Sequence, residues 1–213
     1  MTDWFWSKEA MLERGIAVTQ CFCALNDISM PEITVITGKW AFDACAYYRP
    51  REGIVINVTK CALVGLEGRQ WSFPGYTVDR TPYGVLQHEL GHHVDCLRSV
   101  VVDRYRGDYS RDMRYGQAPE EPLTSYCPDD GEWFAEMFRL LVTNPDLLRQ
   151  IRPHTYARLI ADGLRPVFYD SFEDRLKGAP DRTIRSAHRK VWDALPKMLL
   201  TEPDNSVILR CPC

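Results

Sequence analysis

A proline-led segment with two unlike faces, TPYGVLQHELGHHVDCLRSVVV (residues 81 to 102), constrains this chain more than any other. Thr81 followed by Pro82 reads as a helix start, a capping hydroxyl ahead of a residue tolerated at the first helical position. With successive residues about 100° apart, Leu86, Leu90, Val94, Leu97 and Val101 fall in a stripe roughly 80° wide, and His88 and His92 fall opposite. A histidine held in an apolar core is expected on the Leu/Val stripe, where His93 comes closest. The spacing therefore predicts a helix with a core face and a separate histidine face.

Two imidazoles four residues apart point at one spot, and Glu89 flanks that spot without being placed to coordinate beside them. Zinc hydrolysis requires these parts: two neutral nitrogen ligands, an open position for water and a carboxylate to take the water's proton. One zinc ion is the expected cofactor. Three fixed residues in five also recur by chance, so the bland alternative is a surface helix with solvated histidines; the cap and the segregated face favour the metal. Asp95, three residues after His92, leans toward the histidine face as either an acceptor for an imidazole N–H or a simple surface carboxylate. Cys96 follows His92 by four, and as a fourth ligand it would close the site and make the metal structural.

A site with two histidines needs a third protein ligand. His154 and His188 sit near no turn or motif that would bring them to it. The stronger candidates lie on a second expected helix, GEWFAEMFRLLVTN, capped by Asp129 or Asp130 and stopped at Asn144-Pro145. Trp133, Phe134, Met137, Phe138, Leu140 and Leu141 form its buried face, and Glu132 and Glu136 stand four apart on its polar face. Like charges at that spacing repel, and Arg139 offers Glu136 only partial relief. A divalent cation and its histidines would neutralise the pair better, one glutamate coordinating and the other orienting a histidine. The alternative is an ordinary charged helix surface.

Residues 7 to 25 read as a helix with Ser7 as cap and Met11, Val18, Cys21, Phe22 and Leu25 on one face. EITVITG (32 to 38) alternates like a strand, and AFDACAYY (41 to 48) and GIVINV (53 to 58), parted by RPRE, read as a hairpin. Residues 103 to 131 show no period and read as a long loop of the functional or disordered kind. Helical patterns return near 146 to 151, 154 to 164 and 183 to 195. The expected class is α+β, one domain over residues 1 to 213, with a small N-terminal sheet, the histidine helix and a mostly helical C-terminal half. A length of 213 residues with 45% hydrophobic content suits one core better than two.

A net charge of -3 and a pI near 6.0 give no attraction for a phosphate backbone, so no nucleic-acid partner is expected. The start, MTDWFWSKEAMLERG, lacks the parts of a signal peptide, and no stretch approaches the roughly 20 apolar residues of a membrane span. A cytoplasmic protein without a membrane partner is the default, with export by another route left open. Of the eight cysteines, Cys21/Cys23 and Cys211/Cys213 have a spacing too tight for the usual zinc knuckle. Ordinary thiols are expected, with disulfides or a second metal site as alternatives. The Cys211-Pro212-Cys213 tail reaching and blocking the zinc is a further one.

HELGHHVD followed by LTSYCPDDGEWFAEMFRL resembles the catalytic domain of anthrax toxin lethal factor and related zinc metallopeptidases of the gluzincin class, whose pattern is HExGHxxD, a Ser-Tyr pair and then ExFAExFRL. The match covers residues 88 to 95 and 123 to 140. It implies a zincin-like metallopeptidase fold, His88, His92 and Glu132 as zinc ligands and Glu89 as general base. Tyr126 corresponds to the tyrosine that supports the transition state, and Glu136 to the second glutamate of the block. The implied activity is endopeptidase action on a peptide or protein substrate bound as an added strand along GIVINV or its hairpin partner. Trp71, Phe73 and Tyr76 are candidate pocket residues in GRQWSFPGYTVDR. Competing functions are a regulatory protease cleaving one partner protein and a non-catalytic, zinc-stabilised binding module; the presence of Glu89 weighs against the latter.

Overall fold

The first expected helix forms as the sequence predicts: in the computed structural model α1 (Lys8–Leu25) begins where the Ser7 hydroxyl accepts the Ala10 N–H at 3.0 Å. Met11, Leu12, Gly15, Val18, Thr19, Phe22 and Cys23 are its buried residues. The structure describes residues 7–38, 44–62, 80–99, 108–116, 120–123, 129–143 and 145–166. Tyr126, His188, the 71 to 76 aromatics, the segment from 183 to 195 and the Cys-Pro-Cys tail lie outside them.

After α1 come β1 (Ile33–Ile36), β2 (Ala46–Arg49) and β3 (Gly53–Asn57). β2 and β3 form the expected antiparallel hairpin, with Tyr48 opposite Ile54, while β1 joins the other side of β3 in parallel. The sheet order is therefore β1-β3-β2. Ile54, Val55 and Ile56 are all buried, as suits a central strand covered on both faces. This corrects one expectation: GIVINV is paired on both sides and has no edge for an added strand, which leaves its hairpin partner β2 as the candidate. Gly53 adopts φ +78°, and a Cβ there would lie 2.2 Å from the Glu32 carbonyl oxygen, so the turn into β3 admits only glycine.

A 3-10 turn (Val58–Lys60) follows, and then α2 (Pro82–Arg98), whose cap Thr81 accepts the Gly84 N–H at 3.1 Å. Every residue from Pro82 to Gly91 is buried, so α2 is the centre of the fold and not an amphipathic surface helix. On one side the Gln87 amide donates to the Gly15 carbonyl at 3.0 Å and to the Thr19 hydroxyl at 3.2 Å, fixing α2 to α1. On the other side lies α4 (Asp130–Thr143). The apolar stripe is correspondingly shorter than expected. Leu97 is 52% exposed, and Val101 lies outside the described residues.

α2 and α4 touch at backbone level, since a Cβ on Gly91 would lie 2.8 Å from Ala135 Cα. Gly91→Ala is therefore expected to push the two helices apart and destabilise the fold by about 1–3 kcal/mol, the usual cost of overpacking. A urea midpoint unchanged from wild type would show that the helices have room to spare.

The long loop expected over 103 to 131 contains a helix, α3 (Asp108–Tyr115). Asp95 supplies what its sequence lacks, with its carboxylate accepting the Ser110 N–H at 2.9 Å. Asp129 is the cap of α4, accepting the Glu132 N–H at 2.9 Å. Short helices α5 (Pro145–Ile151) and α6 (Pro153–Ala161) complete the described chain, which is α+β with a small three-stranded sheet and mostly helical content. No described helix is long and apolar enough to cross a membrane.

Candidate metal centre

The packing of α2 on α4 brings the histidine face of one helix against the glutamates of the other. Among the described residues His88, His92 and Glu132 form a group that could hold a metal ion, with one donor atom from each within 4.8 Å of the others. His88 Nε2 lies 2.9 Å and His92 Nε2 3.6 Å from Glu132 Oε2. Four-coordinate zinc with bonds of about 2.0–2.1 Å needs donors about 3.3 Å apart. Both separations from Glu132 Oε2 lie close to that spacing, so two imidazole nitrogens and one carboxylate oxygen are suited to such an ion.

Glu132 is on the first turn of α4, and Glu136 one turn on. Glu136 is 1% exposed, which removes the alternative of an ordinary charged helix surface for it. One of its oxygens accepts from His88 Nδ1 at 2.9 Å and from Arg139 Nε at 3.0 Å, and the other from Arg139 Nη2 at 3.0 Å. Arg139 is itself buried and grips the carboxylate with both arms, far more than the partial relief expected from its spacing. The chain of contacts Arg139 to Glu136 to His88 is the kind of support that fixes the ring and tautomer of a metal ligand.

Glu89 is buried beside the trio and supplies none of its donor atoms. Burial raises its carboxyl pKa, against the pull of the His88 and His92 charges and of the Tyr48 backbone N–H, while the Glu132 charge pushes it further up. That N–H belongs to β2, the outer strand of the sheet among the described residues, so the strand and the carboxylate are joined directly. Tyr48 also donates its hydroxyl to His93 Nδ1 at 3.1 Å, and His93 Nε2–H donates to the Ser29 carbonyl at 2.7 Å. His93 is thus the satisfied core histidine of the helix, with burial holding its pKa down.

Asp95 is buried, which removes the surface-carboxylate reading. It accepts the Ser110 N–H and, at 3.4 Å, the Ser99 hydroxyl, so it anchors the start of α3 instead of an imidazole. From that anchored helix Arg114 reaches Asp130 at 2.8 Å and braces the first turn of α4, where Glu132 sits. His154 lies on α6, its N–H bonded to Glu120, and Cys96 is half-buried outside the donor group. The sequence reading missed Tyr48 and Arg114 as parts of the site and gave Arg139 too small a part. Only the i, i+3 spacing of Glu136 and Arg139 carried a local signal.

Burial works against the charged form of His88, but the Glu132 and Glu136 hydrogen bonds and the Glu136 and Glu89 charges outweigh it and lift its pKa to about 10. Glu132 is likewise opposed by burial but held down to about 2 by both histidines. A cation bound here would have to displace the His88 proton. The apparent affinity for a divalent cation is therefore expected to rise about tenfold per pH unit between about pH 6 and about pH 9. Calorimetric titration in buffers of different ionisation enthalpy counts the proton, and a pH-independent affinity would rule out that displacement. No protein-family model, curated protein or solved structure matches this chain.

Proposed function

We propose that the chain is a zinc-dependent endopeptidase of gluzincin type with a zincin-like fold, in which His88, His92 and Glu132 hold one zinc ion. Glu89 carries the reading: a buried carboxylate set against the ligand group without joining it is what hydrolysis needs and what a purely structural metal does not. The bound ion would supply Lewis acidity, polarising the scissile carbonyl and making a water easier to deprotonate.

Glu89, its proton affinity raised by burial, accepts the proton of the attacking water and returns it to the leaving amine. The Tyr48 N–H holds the carboxylate in place for both transfers. Glu136 keeps the His88 Nδ1 proton on the side away from the ligand group, leaving Nε2 free to donate its lone pair. Arg139 keeps Glu136 ionised by surrounding it. Tyr126 has the role that the resemblance to the lethal factor family implies, a hydrogen bond to the developing oxyanion. A peptide or protein substrate pairs along the outer edge of β2, the strand already joined to the general base, so backbone pairing brings the scissile bond toward Glu89.

The test is to measure bound metal in the purified chain and follow cleavage of a diverse peptide library by mass spectrometry before chelation, after it, and after zinc is restored. About one zinc per chain, with cleavage lost and regained in step, is the expected result. Cleavage indifferent to the chelator would defeat the proposal, as would a chain that binds no metal.

A further inference from the structure

Three loops outside the metal centre converge on a second reactive cluster. Cys45 stands one residue before β2, Cys61 directly follows the 3-10 turn and Arg80 directly precedes the cap of α2. Arg80 Nη2 lies 3.4 Å from Cys45 Sγ, and the Cys61 thiol hydrogen-bonds to the same sulfur. Cys61 is fully buried, 3.5 Å from the Asn57 carbonyl, whereas Cys45 is only half-buried. The Lys60 carbonyl, 3.3 Å from Cys45 Sγ, accepts the S–H proton of the neutral form.

The remaining surroundings favour the anion. The Cys61 hydrogen bond is the strongest influence, burial opposes it, and the hydrogen bond and charge of Arg80 with the charge of Lys60 add to it, lowering the Cys45 pKa to about 6. Cys23 provides the contrast, for burial alone raises its thiol to about 11. A half-buried thiolate beside a guanidinium and a second, sequestered thiol has the arrangement of an attacking and a resolving cysteine.

We propose that Cys45 and Cys61 are an oxidisable pair, a modification site whose substrate is a small hydroperoxide. The Cys45 thiolate attacks the terminal peroxide oxygen, the O–O bond breaks, and the departing alkoxide takes a proton from solvent and leaves as the alcohol. Cys45 is then a sulfenic acid. Cys61 gives up its proton and attacks the Cys45 sulfur; the S–S bond forms, the S–O bond breaks, and hydroxide leaves with that proton as water. Two electrons pass from the two sulfurs to the peroxide.

The experiment uses the reduced full chain, one equivalent of hydrogen peroxide, and peptide mapping without reduction. A Cys45–Cys61 disulfide is expected as the first product, formed about three- to tenfold more slowly in Arg80→Gln. In Cys61→Ser a 1,3-diketone should trap Cys45 as the sulfenic acid. A readout that needs no variant is the alkylation rate of Cys45 against pH in the wild type, which should level off by about pH 7, where an ordinary thiol is still gaining about tenfold per unit. First oxidation at other cysteines, or a Cys45 rate still climbing at that slope above neutral pH, would overturn the proposal.

Discussion

Replacing Glu89 with glutamine is expected to leave about one zinc ion per chain while lowering peptide turnover by roughly 10²- to 10⁴-fold, the usual contribution of a positioned proton acceptor. The substitution preserves shape, and the amide oxygen can still accept the Tyr48 N–H that now holds the carboxylate. A neutral amide at a site where burial already disfavours charge costs the fold nothing on that account. Loss of metal without loss of folding would mean that Glu89 is a ligand and the division of roles is wrong. Full zinc with wild-type turnover would remove Glu89 from the chemistry. If wild type and variant both bind zinc and neither cuts any of a wide range of peptides and proteins, the metal is structural.

Arg139→Met should produce the largest loss of stability. The guanidinium is buried and bidentate on a carboxylate that is also buried, and removing one partner of such a pair typically costs about 3–5 kcal/mol. For a domain of this size that corresponds to a fall in Tm of roughly 6–20 °C. Glu136 has its carboxyl pKa held well below the ordinary range: burial alone would raise it, but the Arg139 charge and the His88 hydrogen bond prevail. A depressed folded pKa adds stability above the unfolded value and loses it as pH falls through the folded one. The gap between wild type and variant should thus be fully open at neutral pH and narrow below about pH 4. The double variant Arg139→Met with Glu136→Leu should recover part of the loss, and a single-variant Tm within about 2 °C of wild type would show that the pair is not what holds this interface.

The legible and illegible parts of the chain differ in what determines them. α1, the β2–β3 hairpin, α2 and α4 announce themselves through caps, periodicity and turn residues, all of which act over a few positions. α3 does not, because DYSRDMRY has little apolar content and takes its first turn from Asp95, distant in sequence. The order β1-β3-β2 was hidden for a similar reason, since hairpin spacing fixes one neighbour of β3 and tertiary packing supplies the other. The donor trio could be anticipated from spacing alone, helix by helix. The surroundings of Glu136 could not, for i, i+3 spacing to Arg139 says that two charges are near and nothing about whether water reaches them. Cys45, Cys61 and Arg80 come from three separate loops and leave no pattern in the sequence.

The three donors do not have equal anchorage. His88 and His92 project from interior turns of α2, whereas Glu132 belongs to the first turn of α4, its own N–H held by the exposed cap Asp129. Helix ends fray far more readily than helix interiors. An ion held here would escape by a brief unwinding of one turn, with its two imidazoles still in position, and not by opening of the whole molecule. Its residence time would then be set by the Asp129 cap together with the Arg114–Asp130 brace on that turn, so replacing Asp129 should change the dissociation rate severalfold while the melting temperature stays almost still.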